Sequence, residues 1–111
     1  MVSEKIRERF LRDPLPIRLG GLAADLARIA SFSEHPGNRQ AVASLLEEGK
    51  YFAEWTALDA PLETQAVLAE LQVSLAVWER GWLNGHPVAT MRTEAECKSE
   101  ELLALAGLVE R

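Results

Sequence analysis

An all-α fold follows from two observations on this 111-residue sequence. Its apolar residues recur at alternating spacings of three and four, the period of a helix. The periodic stretches are long, and the breaks between them are short and rich in proline, glycine, asparagine and aspartate. Short turns favour antiparallel neighbours, so the prediction is an up-down four-helix bundle with a short extra N-terminal helix. The length suits a single domain spanning residues 1–111, with one core and no need of metal or disulfide support.

The strongest periodicity runs from Pro61 to Gly85. Thr64, Leu68, Leu71, Leu75, Trp78 and Trp82 draw one stripe along this segment. Leu62, Ala66, Ala69, Val73, Ala76 and Arg80 draw a second with the same rhythm, on roughly the opposite side. A helix apolar on two faces is usually sandwiched between partners. The segment is therefore expected to be the central and most buried rod of the bundle.

The other helices follow in chain order. Ser3 can cap a first helix to about Arg12, with Val2, Ile6 and Phe10 giving it one apolar side. Asp13-Pro14-Leu15-Pro16 breaks that helix, because proline lacks a donor and restricts the residue before it. A second helix runs from Pro16 to about Ser33 on the stripe Leu19, Leu22, Leu26 and Ile29. Beside that stripe Gly20, Ala24, Ala27 and Ser31 form a row of small residues. Glycine within a helix costs about 1 kcal/mol relative to alanine, so a close helix–helix approach is expected at this row.

His35-Pro36-Gly37-Asn38 is a turn with Asn38 as the next cap. A third helix spans about Arg39 to Thr56 and buries Val42, Leu45, Leu46, Gly49, Phe52 and Ala53. Glu47–Lys50 and Lys50–Glu54 can pair along its outer side. Asp59-Ala60-Pro61 starts the rod, with Asp59 or Ala60 as cap and Pro61 as first helical residue. Asn84-Gly85-His86-Pro87 ends it. The last helix runs from about Val88 to Ala106 on Met91, Ala95, Ser99, Leu102 and Leu105, with Lys98 intruding on the stripe and Gly107 as a stop.

Formal net charge is −5, which argues against nucleic acid as a general partner. The charge is uneven. Residues 1–18 balance to +2, with Lys5, Arg7, Arg9, Arg12 and Arg18 against Glu4, Glu8 and Asp13. Residues 38–79 balance to −5. The basic N-terminal segment is expected to lie near the acidic middle. One cysteine, Cys97, forms no internal disulfide and fits a reducing, cytoplasmic setting. The charged opening MVSEKIRERF resembles no secretory signal, and no apolar run approaches the ~20 residues of a membrane span.

Few side chains suggest chemistry. Antiparallel helices place His35 and His86 at one pole with Trp78 and Trp82, but two loop histidines fall short of the usual three or four metal ligands. Glu47 and Glu48 point about 100° apart on a helix and make no catalytic pair. Cys97 has no histidine in reach. No P-loop, GxGxxG or G-x-S-x-G motif is present. The expectation is a non-enzyme without cofactor or metal. Glu48, Tyr51 and Trp55 share an edge of the third helix, the kind of edge a protein interface uses, although Trp55 also suits a simple lid on the core.

Two stretches, Asp13 to Glu48 and Lys50 to Trp82, resemble small uncharacterised helical proteins of cyanobacteria. The resemblance implies a cytoplasmic bacterial protein and transfers no activity or site. The leading functional expectation is a module acting through protein–protein contact, self-associating as a homodimer. Gly20, Ala24, Ala27, Glu48, Tyr51, Trp55, Trp78 and Trp82 are its candidate interface or pocket. The alternative is a small-molecule binder with an apolar pocket between helices near Trp78 and Trp82.

Overall fold

Local chemistry sets where each helix starts and stops. The computed structural model describes residues 3–107. It contains α1 (Glu4–Arg12), α2 (Leu15–Phe32), a 3₁₀ turn (Pro36–Asn38), α3 (Arg39–Ala57), α4 (Leu62–Leu83) and α5 (Met91–Leu105). No strand occurs among the described residues. The protein is an all-α bundle of four long helices with a short N-terminal helix, as the sequence predicts.

Ser3 caps α1 by accepting a hydrogen bond from the Ile6 amide at 3.3 Å. Val2, the first residue of the predicted α1 stripe, lies outside the described residues. Pro61 stands just before α4, with ψ of 153°, and takes the capping position expected of Asp59 or Ala60. Asp59 is engaged elsewhere, as shown below. Asn38 does not cap α3 with its side chain; its amide donates back to the Phe32 carbonyl at 3.3 Å. Helix α5 starts three residues later than expected, at Met91. Thr90 precedes it and donates from Oγ1 to Glu94 Oε1 at 2.6 Å.

The end of α4 is closed by a Schellman arrangement. The Gly85 amide bonds the Trp82 carbonyl and the His86 amide bonds the Gly81 carbonyl at 2.8 Å. Gly85 makes this possible at φ of +78°, which other residues rarely adopt. The returning chain passes so close that a Cβ on Gly81 would sit 2.7 Å from the His86 carbonyl oxygen. Glycine at 81 is thus required by the turn.

The packing differs from the expectation in one important respect. Helix α2 lies against both α5 and α3, α3 lies against α4, and α4 and α5 touch only marginally. The central helix is α2. Eight of its 18 residues are buried, against six of 22 in α4. On α4 the buried residues are Thr64, Leu68, Leu71, Leu75, Trp78 and Trp82, the first predicted stripe complete. The second stripe, Leu62, Ala66, Ala69, Val73, Ala76 and Arg80, is exposed throughout. The rod is one-faced within the chain, because α2 already occupies the position between two partners.

The small-residue row also moves. Ala27 is exposed, and Gly20 and Ala24 are half-buried. The close approach to α5 falls one position earlier, at Ala23, whose carbonyl accepts a hydrogen bond from buried Ser99 at 2.8 Å.

The one-faced reading of α4 predicts a contrast between two neighbours. Leu71→Ala removes a residue that is 1% exposed and should cost about 2–5 kcal/mol in urea unfolding. Val73→Ala, at a position 66% exposed, should change protomer stability by less than about 0.5 kcal/mol. Equal losses would mean that both faces of α4 are packed.

Candidate functional site

The outer face of α4 carries most of the large apolar side chains that are exposed among the described residues. Leu62 is 83% exposed, Val73 66% and Leu83 60%. Ala66, Ala69, Val73, Ala76 and Val77 run between them, and all are exposed. Leu58, at the end of α3, is exposed as well and lies beside Trp55 and Arg7. A solvent-facing helix surface is normally polar, and contiguous apolar patches of this kind mark contact sites. Arg80 is the one charged residue within the strip, and Glu63 and Glu70 flank it. Among the described residues none of these three forms an ion pair.

The edges of the strip are fixed by polar contacts to α3. Lys50, beyond the nearer glutamates that its spacing offers, sends its ammonium across to Glu79 of α4. Gln65 donates to the Ala57 carbonyl at 3.0 Å. At the far end Trp82 and Arg39 clamp each other: the indole donates to the Arg39 carbonyl at 3.0 Å, and the Arg39 guanidinium donates to the Trp82 carbonyl at 3.3 Å. These bonds hold α4 on α3 in one rotation, with its heptad-like stripe pointing away.

The residues singled out from sequence separate into different roles. Trp78 and Trp82 are buried in the core. The opening nearest Trp82 is a surface depression of about 300 Å³ bordered by Ser33, Glu34, Val88 and Arg92. It draws on the turns after α2 and α4, so the two histidine turns do share a pole. An Arg92–Glu34 ion pair at 2.7 Å crosses there. Among the described residues no three His, Cys, Asp or Glu side chains converge.

Trp55 is a lid. It is 8% exposed and packs with Phe10 and Phe52, whose rings stack at 4.1 Å, while Tyr51 lies beside it at 5.7 Å. Arg7 sits 5.9 Å over its ring. This cluster docks α1 on α3. Glu48, the third member of the predicted edge, faces inward to Asp25 instead of joining Tyr51 and Trp55.

Two buried charged residues on α2 escaped the sequence reading. Arg18 is 4% exposed, and each of its three guanidinium nitrogens donates a hydrogen bond. It donates to the Asp13 carbonyl at 3.0 Å and to both Asp59 oxygens at 2.8 Å, a bidentate pair. The pair ties the α1–α2 connector to the α3–α4 turn and joins the basic N-terminal segment to the acidic middle. Hydrogen bonding from Arg18 holds the exposed Asp59 carboxyl below its usual range.

Asp25 is 3% exposed between α2 and α3. Arg28 donates to its Oδ1 at 3.0 Å, while no group donates to the buried Oδ2. Burial, reinforced by the hydrogen bond that the protonated carboxyl donates to Glu48 and by the negative charge of Glu48, pushes its carboxyl up to about 8 against the lowering effect of Arg28. Both residues lie on the arc of Leu22, Leu26 and Ile29 at helical spacing. A charged residue on a core arc was the available signal.

Helix α4 leaves a second opening toward α5, a cleft of about 500 Å³ bordered by Glu70, Ser74, Glu94, Cys97 and Lys98. Lys98 is half-buried there. No helix among the described residues is long and apolar enough to cross a membrane. Comparison of the chain with protein-family models, curated proteins and solved structures finds no match.

Asp25 makes stability fall with rising pH. Between about 4 and 8 the folded protein keeps a proton on Asp25 that the unfolded chain has released, from an ordinary value of 3.8. Each pH unit across that window therefore costs up to about 1.4 kcal/mol. Asp25→Asn should remove this slope, so that the variant gains on the parent steadily from pH 5 to about pH 8 in urea unfolding and no further above it. Parallel pH profiles for the two proteins would show that Asp25 is ionised in the fold.

Proposed function

We propose that this chain is a non-enzymatic cytoplasmic module that acts through protein–protein contact and self-associates as a homodimer. The observation that carries this reading is the uncovered apolar strip on α4, from Leu62 to Leu83. Apolar surface left in water costs about 25 cal/mol for each Å². A partner that covers the strip recovers that free energy without any change to the protomer's core. The resemblance to small cyanobacterial helical proteins adds a bacterial setting to the proposal.

The interface candidates shift accordingly. Tyr51 and Trp55 are accounted for by the docking of α1, and Trp78 and Trp82 by the core. Gly20, Ala24 and Ala27 form a second, weaker surface on α2, with Ala27 exposed. The strip on α4 is longer and contains larger apolar side chains.

Sedimentation velocity over a concentration series tests the proposal. The weight-average mass should rise toward twice that of the protomer. Val73→Glu should keep the helical circular dichroism of the parent, because Val73 is exposed in the protomer, and should remain a monomer. A parent that stays monomeric to high concentration would overturn self-association.

A further inference from the structure

We infer that two copies pair through α4 as antiparallel helices, in the register that sets Val73 against Ala76 of the partner subunit. This rests on the self-association proposed above and adds the geometry. Leu62, Ala66, Ala69, Val73, Ala76, Arg80 and Leu83 are spaced four, three, four, three, four and three. All seven are exposed. A strict 3.5-residue repeat over three heptads keeps one seam facing another helix along its whole length. A helix that only had to shed its side chains into water has no need of that repeat. Within the chain nothing meets this seam, because α3 takes the opposite face of α4. The natural complement is a surface with the same period, and a second α4 supplies it.

Charge decides the direction. A parallel pair would set Arg80, Glu70 and Glu63 each beside its own copy, like charge against like. An antiparallel pair has two registers that overlap the seams along most of their length. In one, Ala69 meets Val73 of the partner subunit, and the two Glu70 side chains fall almost level on the same side of the dyad. In the other, Ala66 meets Leu83 of the partner subunit, Val73 meets Ala76 of the partner subunit and Ala69 meets Arg80 of the partner subunit. Arg80 then lies one residue from the level of the partner's Glu70, and the symmetry makes the ion pair twice. It leaves the two Glu70 carboxylates well apart.

Size supports the same register. Leu83 and Val73 each face an alanine, and Leu62 lies past the end of the paired length. Alanine layers let the helix axes approach to about 8 Å, the close end of the usual range. Helix α4 has 22 residues and is about 33 Å long, so a two-helix seam lies at the small end of specific interfaces. The pair is therefore a reversible one.

A charge swap tests the geometry. Glu70→Arg and Arg80→Glu are made singly and together, and dimerisation is followed by sedimentation velocity at about 0.15 M salt, where net-charge repulsion is screened. Each single variant should weaken the dimer by about tenfold in Kd, and the double variant should return to within about threefold of the parent. In a parallel pair, Arg80 and Glu70 of the partner subunit stand about 15 Å apart along the axis, so the double variant would not recover. Three failures are separable. A monomeric parent overturns self-association itself. A parent and a Val73→Glu variant that dimerise equally place the interface away from α4. A Val73→Glu monomer with no recovery in the double variant keeps the face and overturns the antiparallel register.

Discussion

Helix α2 meets α5 on one side and α3 on the other, and this double contact constrains the rest of the molecule. A helix covered on two sides must satisfy its polar groups inside the protein, because water cannot reach them. The bonds to Arg18 and to the Ala23 carbonyl meet that demand at two points on α2. Each bond also ties a distant segment: the α3–α4 turn through Asp59, and α5 through Ser99. Asp25 is the third point, and there the demand is met by protonation. An ionised carboxylate beside Glu48 with one oxygen unpartnered would be far costlier than the neutral acid. The centre of the bundle is thus specified by polar contacts as much as by leucines.

With α2 in the middle, α4 is left at an edge. Its large residues cover α3, and the contact with α5 is slight. The bonds of Lys50, Gln65 and Arg39 then fix the rotation of α4 about its own axis. That rotation turns the alanine and valine stripe outward. The stripe is a consequence of the core geometry, and its regular repeat is what the proposed pairing draws on. Alanine and valine suit such a surface. They cost little when a protomer stands alone, and they allow a close helix pair when two meet.

The helix boundaries were legible in the sequence because proline, glycine and asparagine mark them chemically. Ser3, the Pro36-Gly37 turn and Gly85 all act as their residue types suggest. The inner stripe of α4 was legible because leucine and tryptophan at alternating spacings of three and four leave little choice of face. The outer stripe was legible as apolar but not as exposed. Residue type says that a face seeks cover, and says nothing about whether the cover belongs to the same chain. The centrality of α2 was hidden because Arg18 and Asp25 interrupt its apolar arc, and their partners lie 41 residues away at Asp59 and on a different helix at Glu48. Long-range pairing of that kind leaves no periodic trace. The same reason conceals the Lys50–Glu79 pair, since local spacing offered Lys50 two nearer glutamates.

The claim that joins these points is that the outer face of α4 is open in the protomer and covered in the dimer. Hydroxyl-radical footprinting read by mass spectrometry, across a dilution series, measures it residue by residue. Labelling of Val73, Val77 and Leu83 should be strong in dilute protein and suppressed in concentrated protein. Ile17, exposed on α2, should label equally in both. Equal labelling of the α4 positions at every concentration would contradict the account, as would their protection at the highest dilution.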